Sequence, residues 1–300
     1  VRPESRGPLT SLRDILLWMP AAVVFFAAVE ALVLRFAARQ DYDWRASLAS
    51  LADFMTRQYV VSVFVTVSIA TPLTVLAYTY RLGDIPLSTP AAIAALFVGQ
   101  EFCYYWFHRA SHRVRWFWAT HAVHHSPNEL NLSASFRFGI TGPLNGTRLF
   151  FVPLIWLGFP PTAVFLTLTL NLLYQFWLHT TWIPKLGWFE YVFNTPSHHR
   201  VHHASNPEYL DANYGGVLIV FDRLFGTYVG ERDDLPCRYG LVKPLKSNNP
   251  LYIAFHEWIA LGRDVLRADT WRARWHYLFG PPGQPVPARA APADRYSPAE

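Results

Sequence analysis

Residues 108–125 read HRASHRVRWFWATHAVHH and carry five histidines: His108, His112, His121, His124 and His125. On a helix, residues three and four apart share a face, so His108 and His112 point the same way, as do His121, His124 and His125. Each group can grip one side of a metal ion, and neutral imidazole suits iron, zinc, copper and nickel. A third group, His199, His202 and His203 in the run HHRVHH, repeats the HxxHH spacing much later in the chain. Together the three clusters hold eight of the twelve histidines. Any fold must bring these distant segments to one place.

The surroundings of those clusters are apolar. Charged residues make up 16% of the 300-residue chain and hydrophobic residues 52%, against roughly 25% charged in ordinary soluble domains. Too few charges remain to clothe a soluble globule, and the long apolar runs point to a bilayer. The net charge of +5 is spread out. It fits anionic lipid headgroups, and no basic stripe interleaved with base-stacking aromatics suggests a nucleic-acid partner. Cys103 and Cys237 form no CxxC, which leaves a disulfide framework or a cysteine zinc site unsupported and suits a reduced, cytosolic catalytic side. No internal repeat is visible.

Residues 1–14 are polar, with Arg2, Arg6 and Arg13, and read as a loose tail. The run Ile15–Leu34 has Glu30 as its only charge and is long enough to cross a bilayer core. It lacks a small-residue cleavage site, so a removable signal is not expected. Glu30 either reaches toward the headgroups or faces a neighbouring helix. Residues 35–57 read as a polar loop, and Tyr59–Tyr80 as a second, uncharged span. A third apolar helix runs from about Pro90 into EFCYYWFHR and delivers Glu101 and His108 near its end. Tyr104, Tyr105, Trp106 and Phe107 give that end the aromatic character of a membrane interface, which puts the first histidine pair at headgroup depth.

Residues 138–157 are a weak span broken by glycine and proline, whereas Thr162–Leu178 is uncharged. The pair reads as a hairpin, either two full spans or a shallow re-entrant one, ending at His179. Trp188–Phe193 and Val217–Phe225 read as short amphipathic pieces lying on the interface or capping the site. The Pro- and Ala-rich segment 281–300 reads as disordered. Arg109, Arg113 and Arg115 place the face beyond the third span in the cytosol, and the arginines of 35–57 do the same for that segment. Three spans then put the N-terminus outside, which its own arginines oppose.

The HxxxH, HxxHH and second HxxHH motifs resemble those of the fatty acid hydroxylase or sterol desaturase superfamily of membrane di-iron oxygenases. Within it, YYWFHR at 104–109, YQFWLHT at 174–180, NTPSHHRVHH at 194–203 and NYGGVLIVFDRLFGTY at 213–228 resemble the alkylglycerol monooxygenases. The likeness covers roughly residues 95–280, with Glu101 standing where that family would lead one to expect aspartate.

The resemblance implies an all-α, polytopic integral membrane protein whose cytosol-facing helical cap carries a His-rich di-metal site. Residues 15–84 would be N-terminal transmembrane helices, 85–280 the catalytic domain and 281–300 the tail. Two irons per chain would be held by His108, His112, His121, His124, His125, His199, His202 and His203, four nitrogens each. One atom of O2 would enter an unactivated C–H bond of a lipid drawn from the bilayer. Next to an ether oxygen this gives a hemiacetal that falls apart to an aldehyde and an alcohol. Electrons would come from outside the chain, from tetrahydrobiopterin or a cytochrome b5 or ferredoxin-type donor.

Other residues are further candidates. His179 is either a ligand or a helix cap. His198, outside the HxxHH spacing, is either a ligand or a support for one. Glu101, Asn128, Asn131, Asp211 and Asn213 are candidates for orienting the imidazoles, with capping or solvated loops as the alternative. His256 and His276 read as structural. Sterol, hopanoid, carotenoid or fatty-acyl hydroxylation or desaturation shares the same histidine frame. A bis-histidine haem electron carrier would instead place single histidines inside facing spans. A zinc hydrolase lacks support because HExxH and a nucleophile elbow are missing. A purely structural metal would leave no open coordination position.

Overall fold

The computed structural model describes residues 12–64 and 70–284. Eleven α-helices are described: α1 Leu12–Leu32, α2 Trp44–Phe64, α3 Ala70–Thr79, α4 Pro90–Arg113, α5 Arg115–His121, α6 Val152–Leu157, α7 Pro161–Phe176, α8 Pro196–His202, α9 Val220–Phe225, α10 Pro250–Arg267 and α11 Trp271–Phe279. Among the described residues there is no β-strand; two isolated bridges, Phe193 with Leu218 and Ala204 with Tyr239, are the nearest approach. The expectation of an all-α chain therefore holds for what is described.

The helix starts follow local chemistry. Thr89 caps α4 by accepting from Ala92 N at 3.2 Å, and Pro90 follows it. Asn249 caps α10 by accepting from Leu251 N, again with proline next. Proline at the first helical position loses no hydrogen bond, because that N–H has no partner inside the helix.

The 24 residues of α4 form the axis of the structure. Leu96, Cys103 and Tyr104 pack with Phe151, Leu154 and Ile155 of the α6 region and with Val164 of α7. At its far end α4 stops where Val114 turns extended, and Arg115 N donates to Gly280 O at 3.0 Å. Short α5 then leads back along α4, and α10 packs against it from outside.

Three expectations about the membrane region change. Residues 35–57 are not a loop: α1 continues as a π-helical turn, Val33–Ala37, and α2 begins at Trp44. Within α2, Asp53 accepts from Phe138 N and Gly139 N, and Ser50 accepts from Arg137 Nε. The run 59–80 is not described as one span; α2 ends at Phe64, α3 starts at Ala70, and 65–69 lie outside the described residues. Residues 138–157 form turns around Gly139 and Gly146, a 3-10 turn Thr147–Phe151, and the six-residue α6, too short to cross a bilayer. Gly158, at φ +122°, turns α6 into α7 where a Cβ would meet Gly83 O.

Among the described residues, one helical stretch is long and apolar enough to cross a membrane: Trp18–Ala37, mean hydropathy 1.9 and largely unburied by protein. Within it Glu30 faces neighbouring segments, as one of its readings had it, accepting from Leu132 N, Thr180 Oγ1 and Trp182 Nε1. Most of the expected tails, 1–11 and 285–300, lie outside the described residues.

Candidate metal centre

Nine histidines converge in two groups. His108, His112, His121, His125 and His202 form one, and His124, His179, His199 and His203 the other; in each, the ligand-type atoms lie within 4.8 Å of one another. His108 and His112 project from α4, His121 ends α5, His199 and His202 lie on α8, and the rest occupy the turns that follow α5, α7 and α8.

The division differs from the expectation that His121, His124 and His125 point the same way. Both HxxHH motifs are split, and in opposite senses. His121 and His125 enter the group of five while His124 enters the other; His199 and His203 enter the group of four while His202 crosses over. Helical geometry explains the split, because residues four apart align closely whereas the neighbour one position away points about 100° round the axis. His179, for which ligand and cap were both open, lies in the group of four. His198 lies outside both groups, with its ring edge-on to Tyr228 and Nε2 3.9 Å from Glu190.

The rings are oriented from behind by carbonyl oxygens, which can only accept. Nδ1 donates to Tyr214 O from His108, to Ala212 O from His202, to Arg137 O from His124 and to Gln175 O from His179, at 2.8–3.1 Å. In a neutral ring this leaves Nε2 with only its lone pair. The Nε2 atoms of His124 and His179 then face each other at 3.4 Å with no proton between them. Nε2 of His112, His202 and His203 is buried without a hydrogen-bond partner. Facing lone pairs and orphaned nitrogens repel or go unsatisfied unless a cation lies among them, so the residues fit a pair of metal ions.

Electrostatics agree. Burial, followed by the neighbouring imidazoles, holds His121, His125 and His199 well below the ordinary histidine range, and burial does the same for His124, His202 and His203. Neutral imidazoles are the form that binds metal. No carboxylate joins either group, so a bound pair would keep its full positive charge. Nitrogens gathered this closely leave no plane for a macrocycle, which removes the haem-carrier arrangement.

One loop supports much of the group of five. Asp211, Ala212 and Tyr214 present, in order, Oδ1 at 3.6 Å from His112 Nδ1, a carbonyl to His202 and a carbonyl to His108. Asp211 and Asn213 sit at φ +58° and +57°, a left-handed conformation that Asp and Asn tolerate better than most residues. Asn213 clamps the loop through Val229 N and O and through His198 O. Asp222 accepts from Tyr214 N and Gly215 N, both at 2.7 Å, and from Thr227 Oγ1. Burial pushes its carboxyl up to about 6, against those hydrogen bonds.

Glu101 touches no imidazole. It accepts from Val217 N and Leu218 N through one oxygen and from Asn171 Nδ2 through the other; Asn171 in turn accepts from Gln175, whose carbonyl orients His179. Asn131 caps the turn Leu132–Phe136 through Ser133 N, and Asn128 is exposed; neither hydrogen-bonds a histidine ring among the described residues. Sequence reasoning missed Asp222, Asn171 and the four orienting carbonyls. The carbonyls carry no side-chain signal, and Asp222 lies in an apolar run that looked merely amphipathic.

With this geometry in place, comparison with known proteins identifies the region. The family model for fatty acid hydroxylase matches residues 93–227. Residues 93–227 are thus similar in sequence to fatty acid hydroxylase domains. Alkylglycerol monooxygenase of Homo sapiens is 39% identical over 204 residues, covering 68% of this chain and 45% of that protein. The Danio rerio alkylglycerol monooxygenase is 46% identical over 149 residues, 50% of this chain and 32% of that one. An ornithine lipid hydroxylase of Rhizobium tropici is 34% identical over 133 residues, 43% of this chain and 39% of its own. The chain thus spans less than half the length of these relatives. No solved structure matches significantly. The matched region contains every histidine of both groups.

Proposed function

We propose that the chain is a membrane-bound lipid monooxygenase whose two irons are held by His108, His112, His121, His125 and His202 on one side and by His124, His179, His199 and His203 on the other. The single observation that carries this reading is the convergence of nine neutral imidazoles, four of them oriented by backbone carbonyls, into two adjacent groups. Bound there, a reduced iron pair supplies the activation of O2 needed to attack an unactivated C–H bond. The overall balance is R–H plus O2, two electrons and two protons giving R–OH and water. The chain's own contribution is positioning: Tyr214, Ala212, Arg137 and Gln175 fix the ring planes, and burial keeps the rings unprotonated.

The substrate class proposed is an alkylglycerol ether lipid, on the similarity to alkylglycerol monooxygenases. Hydroxylation beside the ether oxygen gives a hemiacetal that collapses to aldehyde and free alcohol. The electrons come from an external donor, a reduced pterin such as tetrahydrobiopterin, cytochrome b5 or a ferredoxin-type protein. Residues 85–280 act as the catalytic unit in a multi-pass arrangement with the site facing the cytosol. Exposed Val75, Leu76, Ile93, Val98 and Phe102 support lipid contact along α3 and α4.

The test is the metal content of the full chain purified in detergent after growth with iron, paired with lipid analysis of cells with and without it. About two irons per chain and a depleted ether lipid are expected. Two irons with a new hydroxylated sterol, hopanoid, carotenoid or acyl chain would transfer the reading to that alternative. Carefully handled protein without metal would sink it.

A further inference from the structure

The helices α10 and α11 lie outside the region matched by the fatty acid hydroxylase model and present an apolar face that nothing among the described residues covers. Along α10, Leu251, Phe255 and Ile259 recur every fourth residue, followed one turn-pair later by Leu266. This places them on one side of the helix. The opposite side is already used: Ile253 packs with Ala49 and Val123, and Leu261 is buried. On α11, Trp271, Trp275 and Phe279 repeat the same spacing, and Leu266 and Trp271 are 83% and 74% exposed.

Charge decides what such a face would meet. The acidic residues Glu257 and Asp264 are turned inward onto Arg115, at 2.8 and 2.7 Å. That leaves Arg263, Arg267 and Arg272 exposed, with Asp269 an exposed acid in the turn between the two helices. Arg274 lies over the Trp271 ring, 4.9 Å from its centroid. Tryptophans beside arginines, backed by leucine, isoleucine and phenylalanine, match the boundary between anionic headgroups and acyl chains.

We propose that α10 and α11 form a second membrane seat, a helical pair lying flat in an anionic lipid interface. It is separate from the apolar stretch of α1. The seat would hold the α5 side of the metal centre down onto the bilayer, since α10 packs directly against α5 and α5 ends in His121. This inference stands whether or not the oxygenase reading is correct, because it concerns a face far in sequence from the nine clustered histidines and needs no turnover.

The full chain is reconstituted in bilayers of phosphatidylcholine and phosphatidylserine in which the acyl chains are brominated close to the headgroup. The emission lost on replacing both tryptophans, Trp271→Phe with Trp275→Phe, isolates the signal of the pair. That signal is expected to be quenched by the brominated lipid and shielded from aqueous iodide. In protein carrying Arg263→Glu and Arg267→Glu, the lipid quenching should be lost while metal content stays unchanged. Quenching by iodide and not by lipid overturns the proposal by showing a water-exposed face. Protection from both quenchers also overturns it, showing that polypeptide, from a second copy or another segment, covers the helices.

Discussion

At the scale of single residues, the centre depends on atoms behind the imidazoles as much as on the rings. His124 belongs to the group of four while His121 and His125 belong to the other. His124→Ala should therefore lower bound metal from about two ions to about one per chain and abolish turnover, with the helical content intact. Metal analysis beside circular dichroism checks this, and two retained ions would show that His124 is not a ligand. Asp222→Asn removes one acceptor from the pair of N–H groups at Tyr214 and Gly215 and sets an amide donor against them. A loss of about 1–3 kcal/mol is expected. The ion in the group of five should weaken selectively, because that group leans on the 211–214 loop; equal loss of both ions would contradict this support role. The eight motif histidines were legible because spacing alone marks them. His179 was not separable from a cap, since one histidine after a helix carries no spacing.

At the scale of elements, α4 and α7 are joined by a polar ladder that their apolar sequences conceal. Glu101 reaches Asn171, which reaches Gln175, which also accepts from Tyr104 Oη at 3.0 Å. Gly216 closes over this ladder: a Cβ there would lie 2.2 Å from Asn171 Nδ2. Gly216→Ala should force Asn171 off Glu101 and cost about 1–3 kcal/mol, read as a lowered midpoint in thermal unfolding with weakened metal retention. An unchanged midpoint would mean the ladder has slack. The helical class and the position of α4 could be read from hydrophobic runs. The start of α2 could not, because its Asp53 accepts from the N–H groups of residues 138 and 139 and its Ser50 accepts from Arg137, far along the chain. Polarity in a window of sequence does not distinguish a solvated loop from a helix face whose partners come from elsewhere.

At the scale of the molecule, the buried imidazoles give stability a fixed direction with pH. In the folded chain His121, His124, His125, His199, His202 and His203 titrate well below 6.5, the ordinary value. Their unfolded counterparts take up protons near that value, so acid favours the unfolded state. The contribution is complete above about pH 6.5 and is lost as pH falls, each such ring adding about 1.4 kcal/mol per pH unit. The thermal midpoint of metal-free protein should drop between about pH 7.5 and about pH 5.5, and a flat or rising midpoint would refute the burial of these rings. The reciprocal division of the two HxxHH motifs has a mechanical consequence as well. An ion in either group would join the segment around His121–His125 to the segment around His199–His203, so a bound pair would rivet shut a loop on the order of 70 residues, as a double crosslink would. Withdrawing the ions would unfasten α6 and α7 from the rest of the chain together, and a protease should reach that stretch first.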